Sequence, residues 1–66
     1  MHTKISFEIL RLKNGFTQVE LAKNLGVKQN TISMWENNHI KPSIKIIKKL
    51  AKVLNVSVEE ILDCFN

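Results

Sequence analysis

At 66 residues the chain has room for one small domain, residues 1–66, and a chain of this size buries only ~60% of the surface its unfolded form exposes. A hydrophobic share of 44% excludes wholesale disorder, and a single cysteine, Cys64, excludes an intrachain disulfide, which suits a reducing cytoplasm. The formal net charge is +4, but Glu59, Glu60 and Asp63 supply three of the six acids, so residues 1–58 set ten bases against three acids. That balance fits a polyanion such as nucleic acid, and equally an ordinary basic protein.

No apolar run approaches the ~20 residues that span a bilayer. Glu8 and Arg11 interrupt the apolar segment that a signal peptide would need. No repeat, linker or low-complexity stretch divides the chain.

The pattern predicts five short helices and no strand. The first covers 5–13 and stops at Asn14-Gly15. Phe7, Leu10 and Arg11 share one side of it, and Ile5, Ile9 and Leu12 the other, so it is either buried twice or touches a partner. Helix 5 could cover part of the second face.

The second helix covers 18–24, with Thr17 as N-cap and Glu20 completing a capping box. Gly26 can take the positive φ that a sharp turn requires. The small Ala22 lets two helices cross closely. The third helix covers 29–37, and its cap is weak because Lys28 stands where Ser or Thr would serve better. Leu21, Leu25, Val27, Ile32 and Trp35 then pin the third helix on the second, which makes 17–36 a helix-turn-helix.

A loop through Pro42 leads to the fourth helix, 43–54, with Ser43 as N-cap. Ile44, Ile47, Leu50, Ala51 and Leu54 form its core stripe, and Lys45, Lys48, Lys49 and Lys52 a separate basic face. Phe16, Leu21, Leu25, Val27, Ile32, Val56 and Leu62 join that core. The fifth helix covers 58–64, capped by Ser57 with Glu60 as a second capping box.

The stretches LRLKNGFTQVELAKNLGV, NTISMWE, KPSIKIIKKLAKVL and NVSVEEIL together resemble the phage repressor and Cro type of helix-turn-helix domain, the Xre family. The resemblance runs from about Phe7 to Leu62. It implies a compact, all-α, lambda-repressor-like fold of five helices. It also implies a bacterial or phage-encoded regulator, without cofactor, that binds double-stranded DNA as a homodimer. Two departures stand out. Lys28 replaces a small N-cap, which would add a phosphate contact, and Asn38 replaces a glycine, which suggests a left-handed asparagine.

Carried over by position, Gln29, Asn30, Ser33 and Met34 would read bases. Their chemistry suits base reading, since Gln and Asn amides pair with adenine N6 and N7, Ser donates or accepts, and Met packs on a thymine methyl. The plainer alternative is a solvated polar face. Gln18, at the start of the second helix, could reach a phosphate with help from free backbone N–H groups. In the resembling repressors it also braces the first glutamine of the third helix, here Gln29. Lys28, Thr31, Asn37, Asn38, His39 and Lys41 are the other candidate phosphate contacts, which position without reading sequence. Family members often pair the positions of Arg11 and Glu36 in a partly buried salt bridge. The alternative is two unpaired surface charges. Trp35 is expected as a core anchor rather than a base-stacking residue.

His2, His39 and Cys64 lack metal-ligand spacing, so no metal is expected. An enzyme would need convergent groups. Glu8, Glu20 and Glu36 lie on separate elements, and Glu59, Glu60 and Asp63 cluster without a base. For dimerisation, Val58, Ile61 and Phe65 with Ile46 are the expected surface, unless Ile61 is core and Phe65 folds back over helix 1. Ile5, Ile9 and Leu12 form the rival surface, or a docking site for another protein. The reading is therefore a DNA-binding repressor on a palindromic operator. The alternative is an antitoxin or other protein-interaction module that also binds DNA.

Overall fold

A computed structural model describes residues 5–65. Five helices form in chain order: α1 (Phe7–Lys13), α2 (Gln18–Leu25), α3 (Gln29–Glu36), α4 (Ile44–Leu54) and α5 (Val58–Cys64). Among the described residues there is no strand.

Side chains start four of the five helices. Ser6 accepts the Ile9 N–H at 3.2 Å and Ser43 the Ile46 N–H at 3.3 Å. Thr17 and Ser57 open capping boxes. Thr17 Oγ1 accepts from the Glu20 N–H at 3.1 Å while Glu20 Oε1 accepts from the Thr17 N–H at 2.9 Å. Ser57 and Glu60 exchange the same two bonds. Each bond satisfies an N–H that the helix cannot. Only α3 lacks a side-chain cap, because Lys28 offers no acceptor.

One device closes α1 to α4. A left-handed residue follows each helix: Gly15 at φ 82°, Gly26 at 73°, Asn38 at 59° and Asn55 at 57°. In each case two backbone N–H groups turn back onto the last carbonyls. After α2, for example, the Val27 N–H donates to Ala22 O at 3.0 Å and the Gly26 N–H to Lys23 O at 3.3 Å. Asn38 therefore adopts the left-handed geometry expected of it, and Asn55 does so as well.

α2 packs on α3, α4 on both α5 and α2, and α1 on α3. Leu21, Ile32, Leu50, Leu54 and Ile61 are wholly enclosed, each contributing roughly 1.5–3 kcal/mol of burial. Phe7 meets the Trp35 ring edge-on, with centroids 6.2 Å apart, and the tilted Phe65 ring at 5.3 Å. Trp35 is a core anchor.

The structure corrects several expectations. α1 starts at Phe7, not residue 5, because the Ser6 hydroxyl caps it and leaves Ile5 outside. α2 runs one residue further, to Leu25, because Gly26 is the reversing residue. α3 stops at Glu36, where Asn37 caps. Ile44 is 58% exposed; it opens the first turn of α4 at the edge of the stripe, among Lys45 and Lys48. Phe16, Val27, Val56 and Leu62 are half-buried against the core rather than inside it. Ile61 is 0% exposed and Phe65 only 7%, so neither is on the surface expected to dimerise. The reason is packing within one chain: Phe65 folds over Phe7 of α1. The second face of α1 stays open, with Ile9 and Leu12 half or more exposed.

Candidate nucleic-acid interface

α3 is held by two of its residues. Ile32 and Trp35 are buried on the inward side. With ~100° per residue, Asn30, Ser33, Met34 and Asn37 occupy the opposite side, and Gln29 and Thr31 flank it. Lys28, Gln29 and Asn30 are exposed, and Thr31, Ser33 and Met34 are half-buried. The turn through Gly26 fixes where α3 begins, and so where Lys28, Gln29 and Asn30 sit together.

A chain of polar contacts underpins this end of α3. Arg11 and Glu36 form an ion pair, with both side chains only 6% exposed. The Arg11 Nε donates to Glu36 Oε2, and Nη2 to Oε1 at 3.3 Å. Arg11 Nη1 donates to the Phe16 carbonyl at 2.8 Å. Gln18 Nε2 donates to Glu36 Oε1 at 2.9 Å, and Gln29 Nε2 to Gln18 Oε1 at 3.3 Å. The family resemblance implies Arg11 with Glu36 and Gln18 with Gln29 as two separate pairs. The structure joins them through Gln18 and Glu36. No local spacing signals that bond, because it depends on the crossing of α2 and α3.

Beyond α3 the candidate loop residues Asn37, Asn38, His39 and Lys41 are all exposed. The Asn37 amide donates to Ser33 O at 2.9 Å and to Ser33 Oγ at 3.4 Å, so it also closes its own helix. The His39 N–H returns to Met34 O at 2.9 Å, which holds the loop against the end of α3. On α4, Lys45, Lys48, Lys49 and Lys52 border a shallow groove. Lys49 Nζ donates to Leu25 O at 3.2 Å, a cation on the last carbonyls of α2.

One carboxyl is visibly perturbed. The Thr17 backbone N–H, then its hydroxyl, holds the Glu20 carboxyl below its usual range, with Lys23 adding to the effect. This carboxylate belongs to the α2 cap and is no acid–base group. Among the described residues no three of His, Cys, Asp and Glu gather as metal ligands. His39 and Cys64 lie on separate elements, and His2 is outside the described residues. No described helix is long and apolar enough to cross a membrane.

Residues 7–61 match the family model described as "Helix-turn-helix". The chain is 41% identical over 61 residues to an uncharacterized HTH-type transcriptional regulator of Archaeoglobus fulgidus, covering 92% of this chain and 83% of that one. It is 40% identical over 53 residues to the antitoxin HipB of Escherichia coli, covering 80% of this chain and 60% of HipB. It is 39% identical over 54 residues to the transcriptional regulator SinR of Bacillus subtilis, covering 80% of this chain and 49% of SinR. No solved structure matches it.

Proposed function

Since this chain belongs to the Cro/C1-type helix-turn-helix (Xre) family of DNA-binding transcriptional regulators, we propose that it is a repressor that reads a palindromic operator as a homodimer. The observation that carries the reading is the polar surface of α3. Gln29 and Asn30 stand exposed on a helix whose other side is locked by Ile32 and Trp35. Gln29, Asn30, Ser33 and Met34 are the base-contacting side chains. Gln18, Lys28, Thr31, Asn37, Asn38, His39 and Lys41 hold phosphates along the flanks. A dimer brings two α3 helices one DNA turn apart, ~34–36 Å. With Ile61 and Phe65 committed to the core, Ile46 and Val58 remain on the α4–α5 side for that contact.

The test is binding to a duplex selected from a random pool. Gln29→Ala and Asn30→Ala should each cost ~1–3 kcal/mol on the selected duplex and far less on unselected DNA. Equal losses on both would mean that these residues do not read bases.

A second reading has its own support. One similar protein is named an antitoxin, and Ile5, Ile9 and Leu12 are exposed on and beside α1. In that reading the α1 surface docks another protein while α3 binds DNA. Co-purification of a stable stoichiometric partner, lost on Ile9→Asp, would favour it.

A further inference from the structure

The polar chain beneath α3 has a direction. Arg11 can only donate, and it faces both oxygens of Glu36. A carboxylate only accepts, so Gln18 must turn its NH2 toward Glu36, where Nε2 lies 2.9 Å from Oε1. That leaves the Gln18 carbonyl oxygen on the far side. Gln29 answers it with Nε2, at 3.3 Å. Gln29 thus keeps its own carbonyl oxygen and its second N–H for what lies in front of α3. An acceptor beside a donor matches adenine, which offers the N6 donor and the N7 acceptor. It clashes with guanine, whose O6 and N7 both accept.

We infer that Glu36 is a positioning residue for base choice. Its negative charge, passed through Gln18, sets which end of the Gln29 amide meets the groove, and so favours adenine over guanine there. This rests on the reading of Gln29 as a base contact. Without the brace, the broad terminal torsion of a glutamine lets oxygen and NH2 exchange places, and the same side chain serves either purine.

The experiment uses the duplex that the protein selects from a random-sequence pool, with the base pair that Gln29→Ala makes indifferent changed to each alternative. Affinities are read by fluorescence anisotropy, with circular dichroism to establish that each variant is folded. In Glu36→Gln the new amide oxygen turns to Arg11 and its NH2 to Gln18, which reverses Gln18 and then Gln29. The preference for adenine over guanine should fall about tenfold or more. Gln18→Ala leaves the ion pair in place. It should weaken binding to every duplex through its lost phosphate contact, and it should also flatten the adenine-to-guanine ratio. Arg11→Lys weakens the fold but keeps the acceptor at Glu36, so the ratio should stay within about twofold of wild type. An unchanged ratio in both Glu36→Gln and Gln18→Ala, with Gln29→Ala still flattening it, overturns the positioning role alone. A selected site with guanine at that base pair overturns it too. If Gln29→Ala alters preference at no base pair, the base-contact reading falls, and this inference with it.

Discussion

Removing one partner of the Arg11–Glu36 pair should cost a large part of the stability of the domain. Both side chains are 6% exposed, and losing one partner of a buried pair typically costs ~3–5 kcal/mol, because the other charge is left unmatched. A 66-residue chain has roughly 3–10 kcal/mol in total, at ~0.05–0.15 per residue. Arg11→Met retains the aliphatic stem, yet it strands the Glu36 carboxylate and the Phe16 carbonyl. Glu36→Leu strands the guanidinium and frees the Gln18 amide. The double variant removes both charges. What it still lacks is a donor for Phe16 and an acceptor for Gln18, about 1 kcal/mol each. The singles should therefore sum to far more than the double, with an interaction free energy of at least about 2 kcal/mol. Urea unfolding followed by helical ellipticity measures all four corners of the cycle. Singles near 1 kcal/mol that simply add would refute the claim that desolvation of the unmatched charge dominates.

Three other outcomes are expected. Lys28→Ala and Lys41→Ala should weaken binding to selected and random duplexes alike, and each should lower the slope of log affinity against log salt by roughly one; a loss confined to the selected duplex would make them base readers. Charged residues at Ile46 and Val58 should give folded monomers by sedimentation with weakened operator binding, whereas a dimer that persists, but dissociates on Ile9→Asp with Leu12→Asp, would move the contact to α1. Glu20 has a depressed folded pKa, so its contribution is present at neutral pH and is lost as pH falls through that lowered value; Glu20→Gln should therefore flatten the acid limb of a stability–pH curve, and an unaltered limb would show that the α2 capping box is not what titrates.

Local chemistry made much of the fold legible. Thr17 with Glu20 and Ser57 with Glu60 carry a complete cap in four residues, and both caps form. Gly15 and Gly26 mark helix ends because few other residues tolerate their φ. Ser6 carries the same signal as Ser43, but the apolar Ile5 ahead of it extends the periodic pattern past the true start. Where the reading stops short, the deciding partner is remote. Val58, Ile61 and Phe65 share a face by period alone, but nothing within a seven-residue helix says that Phe7, at the other end of the chain, covers part of that face. The same limit hides the link from Gln18 to Glu36. Each residue has a reason to be polar by itself, and only the angle between α2 and α3 joins them.

The stacking of Phe65 on Phe7 also bears on how the chain is made. The first and last aromatic rings of the described chain close on each other, and Trp35 rests against Phe7 from a third direction. A nascent chain therefore emerges from the ribosome with Phe7 lacking one of its two ring neighbours until residue 65 has cleared the exit tunnel. The α2–α3 unit, built from contacts close in sequence, can assemble early. Docking of α1 on α3 gains the Phe65 contact only after α5 has formed. Stalling or truncating synthesis a few residues before Phe65 should leave an α2–α3 unit that is formed but loosely clamped, and open to proteases at α1.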